Sequence, residues 1–258
     1  MSTWVLLRGL MREARHWGDF PQQLGQALGS KQLVTPNFAG NGQLSHLLSA
    51  SNVPQMVQQI RRDVLAAGYP PPYHIVALSL GAMAATAWAQ TFPQELAGTV
   101  LINTSLRPFS RFYQRLRPAN YPRLLATLLR AKPLQFENTI LDLSSNMLSR
   151  EQRAQVLNDW RHFAQQNPVS KRNILRQLTA AMRFRAASHA PQVPLLLLAG
   201  ETDRLVNVQC SKSVAQAWHC PIATHPQAGH DLPLDDAAWV VQQIVQWLAT
   251  IPAHRAIP

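Results

Sequence analysis

Short, continuous apolar runs that alternate with helical segments are the feature that most constrains the fold of this 258-residue chain. The runs are rich in valine, leucine and isoleucine, and they lack the polar alternation of a strand with one solvated face. We therefore expect parallel strands that are buried on both faces. The runs are WVLLRG, QLVTPNF, YHIVALS, GTVLIN, VPLLLLAG and IATHP, and helices are predicted near 21–28, 53–67, from 79, near 208–218 and near 235–249. This order favours an α/β fold with a doubly wound, mostly parallel sheet.

Residues 105–189 interrupt the alternation, because they contain no convincing strand. They are predicted to form an all-helical cap inserted between two strands of a core made of residues 1–104 and 190–258. Ser149, with Gln152 three residues later, has the capping-box pattern of a helix start. A further helix is predicted to have an apolar stripe, formed by Ile174, Leu175, Leu178 and Met182.

The positive charge of the chain is concentrated in that segment. Residues 105–190 contain 13 arginines and 2 lysines against 4 acidic residues, a net charge of +11, and the rest of the chain is neutral. A basic surface attracts anionic partners, for which an acidic acyl carrier protein, a coenzyme A thioester and phospholipid headgroups are candidates. A merely solvated basic face is the alternative. Nucleic acid is not expected, since no clustered aromatic residues interleave with the arginines.

The composition excludes several other classes of protein. With 47% hydrophobic and 14% charged residues, the chain is globular rather than disordered. No apolar run is long enough to cross a membrane, and the first residues read as a strand rather than a signal peptide. The two cysteines are expected to be free thiols in a reducing cytoplasm. The histidines lack metal-ligand spacing, so neither a metal nor a cofactor is expected.

The stretch ALSLG, residues 77–81, places one serine at an abrupt junction between a strand and a helix. It differs from the nucleophile-elbow motif G-x-S-x-G only at Ala77. Small residues at 77 and 81, expected to pack against each other, permit a turn that forces Ser79 into strained dihedrals with its hydroxyl projecting outward. The hydroxyl then lies at a helix N-terminus, where the dipole favours negative charge. An ordinary helix-capping serine is the alternative.

Two later residues complete a candidate catalytic set in the order serine, acid, histidine. Asp203 follows the strand VPLLLLAG, and His230 lies in the loop AGHDLP before the last helix. Ser79 is predicted to attack, His230 to accept and return its proton, and Asp203 to hold the imidazole tautomer. Taken singly, Asp203 could be a turn residue and His230 a surface histidine. Their order, at the carboxyl ends of strands, favours the triad.

Neighbouring acids and histidines are predicted to serve the structure. The strand GTVLIN is followed at 103–105 by Asn, Thr and Ser, so no carboxylate competes there. Asp231 adjoins the candidate base and could compete as the acid. Asp235 and Asp236 are predicted to begin the last helix as N-cap and first-turn acids. His225, on an apolar strand, is predicted to be structural.

An acyl-enzyme mechanism also needs donors for the developing oxyanion. The backbone N–H of Leu80, directly after the candidate nucleophile, is one candidate. The backbone N–H of Leu10, in the loop after the first strand, is the other, and Gly9 lets that loop turn. The role of Arg8 stays open between a buried structural partner and a ligand for an anionic substrate at the entrance to the site.

These motifs resemble those of the α/β-hydrolase fold superfamily, in particular serine esterases and thioesterases with a helical cap, some of which act on acyl-carrier-protein esters. The resemblance covers the elbow ALSLG, the acid turn ETDRLV, the histidine loop AGHDLP and the loop NFAGNG, but not the cap. Four residues depart from the family's usual ones: Arg8 for His, Asn37 for Asp, Ala39 for Pro and Ala77 for Gly.

The motifs and the resemblance favour a hydrolase that cleaves a carboxylic ester or thioester through an acyl-enzyme. The alternatives are an acyltransferase with the same triad, and an idle scaffold that serves as a binding protein. The cap would line an apolar acyl pocket, although most of its apolar residues are expected to serve packing. The candidate lining residues are Leu124, Leu125, Leu128, Ile140, Leu143, Ile174 and Leu178.

Overall fold

The computed structural model describes residues 2–29, 32–130 and 133–251. Within them, six strands form one sheet in the order β2-β1-β3-β4-β5-β6, and every neighbouring pair is parallel. The strands are β1 (Thr3–Leu7), β2 (Leu33–Val34), β3 (Tyr73–Leu78), β4 (Leu96–Ile102), β5 (Leu195–Gly200) and β6 (Ile222–His225). Each predicted apolar run thus contains a strand, and the predicted parallel sheet is confirmed.

Helices fill the connections between the strands. The α-helices are α1 (Phe20–Leu28), α2 (Val53–Ala66), α3 (Leu80–Thr91), α4 (Phe112–Arg115), α5 (Tyr121–Arg130), α6 (Pro133–Ser144), α7 (Arg150–Gln166), α8 (Lys171–Arg183), α9 (Gln209–Trp218), α10 (Leu232–Asp235) and α11 (Ala237–Leu248). Short 3-10 helices occur at Ala14–Trp17, Gly42–Leu44, Pro93–Glu95 and Pro118–Asn120. In the described part of the chain, none of these helices combines the length and apolar character needed to cross a membrane.

The sheet separates two hydrophobic cores, as a doubly wound fold requires. Val5 and Leu7 of β1 face a core that is completed by α2, α3 and α9, whereas Trp4 and Leu6 face one completed by α1 and α11. Strand residues therefore alternate between two buried faces, which explains why their sequences show no polar alternation.

Helices α4 to α8 lie between β4 and β5, where the insertion was predicted. We call them the helical insertion. Ser149 caps α7 as expected: its hydroxyl accepts from the N–H of Gln152 at 3.2 Å, and the Gln152 side chain accepts from its N–H at 2.9 Å. The division into a core and a separate cap domain at 105–189 stays a prediction.

The predicted apolar stripe of α8 is only partly buried. Leu175 and Met182 are 56% and 62% exposed, whereas the polar side chain of Gln177 is fully buried. Gln177 donates to Asn41 Oδ1 at 2.8 Å and to Ser49 Oγ at 3.0 Å. The face of α8 that packs against the protein therefore includes Gln177, because α8 holds the loop after β2 through polar contacts.

The last helical segment also differs from its prediction. It is divided into α10 and α11, and Asp236 caps α11 by accepting from the N–H of Trp239 at 2.9 Å. Asp235 ends α10 and is therefore not a first-turn acid of the long helix.

The carboxyl ends of β1 and β3 lie in direct backbone contact. These strands are neighbours at the point where the strand order reverses, which is where open α/β sheets bind ligands. A Cβ at Gly81 would lie 2.7 Å from the carbonyl oxygen of Arg8 and closer still to that of Leu7. The nearest neighbours of Gly81 therefore belong to the end of β1, and not to Ala77 as expected.

We expect Gly81→Ala to destabilise the protein by about 1–3 kcal/mol, because the added methyl group must push two backbones apart. Urea unfolding monitored by circular dichroism measures the change. Gly25→Ala is the matched control: Gly25 is half-buried inside α1, where alanine has the higher helix propensity, so stability should hold or rise. Equal stabilities of the two variants would contradict the packing argument.

Candidate active site

Ser79 occupies the strained turn between β3 and α3. Its φ of 58° and ψ of −113° lie outside the regions that ordinary residues adopt. The turn is held from both sides: the Ser79 N–H donates to the carbonyl of Ile102 at 3.0 Å, and its carbonyl accepts from Met83 at 3.2 Å. Ser79 is half-exposed, and its strained backbone is what the elbow motif predicted.

Asp203 and His230 form a buried hydrogen-bonded pair. Nδ1 of His230 lies 2.7 Å from Oδ2 of Asp203, and the two side chains are 9% and 1% exposed. The other carboxylate oxygen of Asp203 accepts from the N–H groups of Leu205 and Val206 at 2.7 and 2.9 Å. The carboxylate of Asp203 is thus fixed by the backbone of its own turn. Because this carboxylate pairs with Nδ1 of His230, Nε2 of the imidazole takes no part in the pair.

Neighbouring charges control the protonation of His230. Burial by itself would lower the pKa of the imidazole, but the Asp203 carboxylate and, more weakly, Asp231 outweigh burial. The pKa of His230 is therefore raised above its usual value of 6.5.

Asn103, at the end of β4, holds the histidine loop beside the serine turn. Its Nδ2 donates to the carbonyls of Gly229 at 3.0 Å and His230 at 2.7 Å, and its Oδ1 accepts from the N–H of Gly200 at 2.9 Å. Ser79 is bonded to Ile102, the residue before Asn103. The serine and the histidine therefore flank the end of one strand. The sequence shows that no carboxylate follows β4, but it gives no sign of the contacts that the Asn103 amide makes.

The structure gives the Ser79 hydroxyl no hydrogen bond to His230 or to any other described residue. Catalytic hydrogen bonds are often long in unliganded enzymes and shorten when substrate binds.

The two candidate oxyanion donors lie at the backbone contact between β1 and β3. A Cβ at Gly9 would lie 3.3 Å from Cβ of Ser79, so the loop that carries Leu10 touches the serine turn. Neither the N–H of Leu10 nor that of Leu80 has an acceptor among the described residues. Since Leu80 is 1% exposed, its N–H also has little water, an unusual state for a backbone donor.

Arg8 is buried and paired, as the structural one of its two predicted roles requires. Its Nη1 and Nη2 donate to the two carboxylate oxygens of Asp231 at 3.0 and 2.5 Å, with both side chains less than 5% exposed. The guanidinium also lies 4.7 Å from the ring centre of Trp17. With this pairing, Asp231 does not compete as the acid; it joins the loop after β1 to the histidine loop.

Asp235 ties the helical insertion to the histidine loop. Its carboxylate accepts from the Ser145 hydroxyl at 2.6 Å and from the N–H groups of Asn146 and Gly229 at 3.0 and 2.6 Å. Gly229 directly precedes the candidate base. The sequence had suggested only a helix-start role for this acid, because the contact is with a segment about 90 residues earlier in the chain.

His225 supports the same loop, as predicted. Its Nδ1 accepts from the N–H groups of Gln227 and Ala228 at 3.2 and 2.9 Å, and its Nε2 lies 3.3 Å from Asp236. Both ring nitrogens are therefore occupied by structural contacts.

The apolar residues proposed for an acyl pocket are divided between buried and exposed positions. Leu143 and Ile174 are 4% and 8% exposed, whereas Leu125 is 57% exposed. Leu124, Ile140 and Leu178 are half-buried, and the side chain of Leu128 lies outside the described part of the chain. Burial thus agrees with a packing role for some of them and excludes Leu125 from the interior.

Comparison with known proteins identifies the α/β-hydrolases as the class to which this fold and site correspond. A model of the alpha/beta hydrolase family matches residues 4–243. A protein described as "Putative carbamate hydrolase RutD" from Yersinia enterocolitica is 28% identical over 223 residues, which are 83% of this chain and 75% of that protein.

Solved structures share the fold over almost the whole chain. An enol-lactonase from Burkholderia xenovorans matches with a TM-score of 0.79 at 16% identity, over 96% of this chain and 92% of that one. A thermophilic esterase from Thermogutta terrifontis matches with a TM-score of 0.76 at 17% identity, over 96% of this chain and 90% of that one. The chain belongs to the α/β-hydrolase family, and it is a hydrolase.

We expect Arg8→Met and Asp231→Leu each to cost about 3–5 kcal/mol of unfolding free energy, because each leaves a buried charge without its partner. The double variant should recover most of that loss, since neither charge remains. Urea unfolding of the three proteins measures this coupling.

The ion pair of Lys212 with Glu201 is the control, since those side chains are 43% and 44% exposed. Removing Lys212 should cost at most about 1 kcal/mol. Additive losses at Arg8 and Asp231 would show that the two residues are not coupled.

Proposed function

We propose that this protein is a serine hydrolase that cleaves a carboxylic ester or thioester of a small molecule through an acyl-enzyme. The single observation that carries the proposal is the strained Ser79 turn, held at the end of β4 beside the buried Asp203–His230 pair. A helix-capping serine needs neither this strain nor a histidine whose partner is a buried carboxylate.

Each residue has a defined part in the proposed reaction. His230 Nε2 takes the proton of the Ser79 hydroxyl, and the freed oxygen attacks the acyl carbon. The N–H groups of Leu10 and Leu80 donate to the oxygen that becomes negative. His230 then returns the proton to the leaving alcohol or thiol, and water repeats the sequence to release the acid. Asp203 orients the imidazole and stabilises its protonated form throughout.

The proposal extends to the substrate, the acyl acceptor and the location of the protein. The net charge of +11 in residues 105–190 favours an anionic substrate, such as an acyl group on an acidic carrier protein. An acyl acceptor other than water would make the same triad an acyltransferase. A cytoplasmic location, expected from the unpaired Cys210 and Cys220, is proposed with it.

Ser79→Ala should abolish labelling of the protein by a fluorophosphonate probe and lower hydrolysis of p-nitrophenyl butyrate by at least about 10³-fold, because the attacking oxygen is gone. Gel fluorescence and release of nitrophenolate measure the two effects. Ser213→Ala, a half-buried serine on α9, is the control and should label as the parent does. A parent protein that resists the probe would support the idle-scaffold alternative.

The kcat/KM of ester hydrolysis should fall on the acid side with a midpoint above pH 6.5. The raised pKa of His230 keeps the imidazole protonated to higher pH, and only the neutral form can act as a base. Asp203→Asn should move the midpoint of probe labelling to lower pH and slow labelling by about 10³–10⁴-fold. A parent midpoint below pH 6.5 would contradict the assignment of His230 as the base.

A further inference from the structure

The basic residues of the chain are concentrated in two stretches that contain no acid. Residues 96–136 and 160–200 hold 11 arginines and 2 lysines, and neither stretch has an aspartate or a glutamate. The acids of the helical insertion lie between these stretches, in α6 and α7. The positive charge is therefore not compensated within either stretch.

The two stretches meet in the fold. Arg115 of α4 donates to the carbonyl of Ala181, close to the end of α8, at 2.6 Å. The N–H of Ala186 donates to the carbonyl of Arg107 at 2.8 Å, and Arg107 forms a parallel β-bridge with Arg185. The loop before α4 and the end of α8 thus form one surface, which we call the arginine face. Its members are Arg107, Arg111, Phe112, Met182, Arg183 and Arg185.

The four arginines of this face are exposed and lack carboxylate partners. None of them forms an ion pair with a described residue. Arg111 donates to the hydroxyl of Tyr113 at 3.1 Å, and the guanidinium of Arg107 lies 3.5 Å from the carbonyl of Met182. Both of these acceptors are neutral. The face therefore presents uncompensated positive charge to the solvent, which attracts an anionic partner.

The arginine face also carries the two most exposed large hydrophobic side chains of the described residues. Phe112 is 76% exposed and Met182 is 62% exposed. The ring of Phe112 contacts the ring of Tyr113, at 5.6 Å between centres, and Tyr113 is itself 40% exposed. Exposed aromatic and apolar side chains beside basic residues are typical of proteins that bind the interface of a lipid bilayer.

A lipid surface would satisfy both the charge and the apolar side chains of this face. Anionic headgroups attract each arginine near the bilayer, which raises the binding constant roughly fivefold per residue. Acyl chains are fluid and can rearrange around a protruding ring. An acidic protein would instead need a pocket shaped for the Phe112 ring, because its carboxylates alone would leave that ring in water.

We propose that the arginine face binds an anionic phospholipid bilayer. Its four arginines contact the headgroups, and its two apolar side chains enter the outer part of the acyl layer. The face adjoins the turn of the candidate acid, since the carbonyl of Gln114 in α4 accepts from the N–H of Asn207 at 2.9 Å. Binding does not rest on the proposed function, and Ser79→Ala should bind vesicles as the parent does.

Vesicle flotation tests the proposal with two lipid compositions, phosphatidylcholine alone and an equimolar mixture of phosphatidylcholine and phosphatidylglycerol. We expect the parent protein to float with the mixed vesicles and to stay unbound with the neutral ones. High salt should weaken the binding, because it screens the charges of the headgroups. Equal binding to both compositions, or no binding to the mixed vesicles, would overturn the proposal.

A charge reversal then locates the binding on the arginine face. Arg183→Glu should weaken binding to the mixed vesicles by about 30-fold, since two units of charge change near the bilayer at roughly fivefold each. The matched control is Arg62→Glu, the same change at an exposed arginine of α2, and it should weaken binding by less than about threefold. Equal losses in the two variants would show that only the net charge matters and would refute the proposal.

Removal of an apolar side chain distinguishes a bilayer from an acidic protein. Phe112→Ser should weaken binding to the mixed vesicles by at least about tenfold, because a ring that enters the acyl layer is lost. The control Leu65→Ser, at a side chain of α2 that is 59% exposed, should bind as the parent does. Tight binding of the parent to polyglutamate, with no effect of Phe112→Ser on the vesicles, would overturn the proposal in favour of an acidic protein.

Hydrogen exchange followed by mass spectrometry locates the contact without any substitution. Mixed vesicles should slow exchange in residues 107–115 and 181–186 and leave α2 unchanged. Protection of other segments only would refute the proposal. Because neither this measurement nor flotation involves ester hydrolysis, failure of the fluorophosphonate test would leave the lipid-binding proposal standing, and failure of vesicle binding would leave the proposed function standing.

Discussion

The contact between the backbones of two neighbouring strands underlies the organisation of the candidate site. Gly81 lies against the carbonyls of Leu7 and Arg8, and Gly9 lies against Ser79. With side chains at these positions, the serine turn and the loop after β1 could not lie this close. The N–H groups of Leu10 and Leu80, which have no acceptor among the described residues, belong to the two segments that meet here. Because the contact is between main-chain atoms, its geometry depends on the absence of side chains at Gly9 and Gly81.

The histidine loop is held from three directions, each by a different kind of contact. Asn103 binds its carbonyls, the buried pair of Arg8 with Asp231 anchors the residue after His230, and Asp235 accepts from the residue before it. A loop with this many fixed points holds the His230 ring in one position against Asp203. The raised pKa of His230 follows from the same arrangement, because Asp203 is bonded to the ring and Asp231 is the next residue of the loop.

The sequence predicted those features that depend on short stretches of chain. The strands, the elbow at Ser79, the cap at Ser149 and the pairing of Asp203 with His230 follow from periodicity, turn chemistry and order. It did not predict the contacts of Asn103 or Asp235, nor the polar burial of Gln177, because their partners are distant in the chain. Local spacing favours burial of Leu175, but only the packed structure shows which side of α8 faces the protein.

The turn that follows α6 has a double role, as the end of a helix of the insertion and as a support of the histidine loop. Ser144 accepts from the N–H of Asp231, and Asn146 binds the carbonyl of Thr202, beside Asp203. A substitution in this turn therefore disturbs the backbone on both sides of His230 and beside Asp203, whereas one on the exposed faces of α6 or α7 leaves those contacts in place.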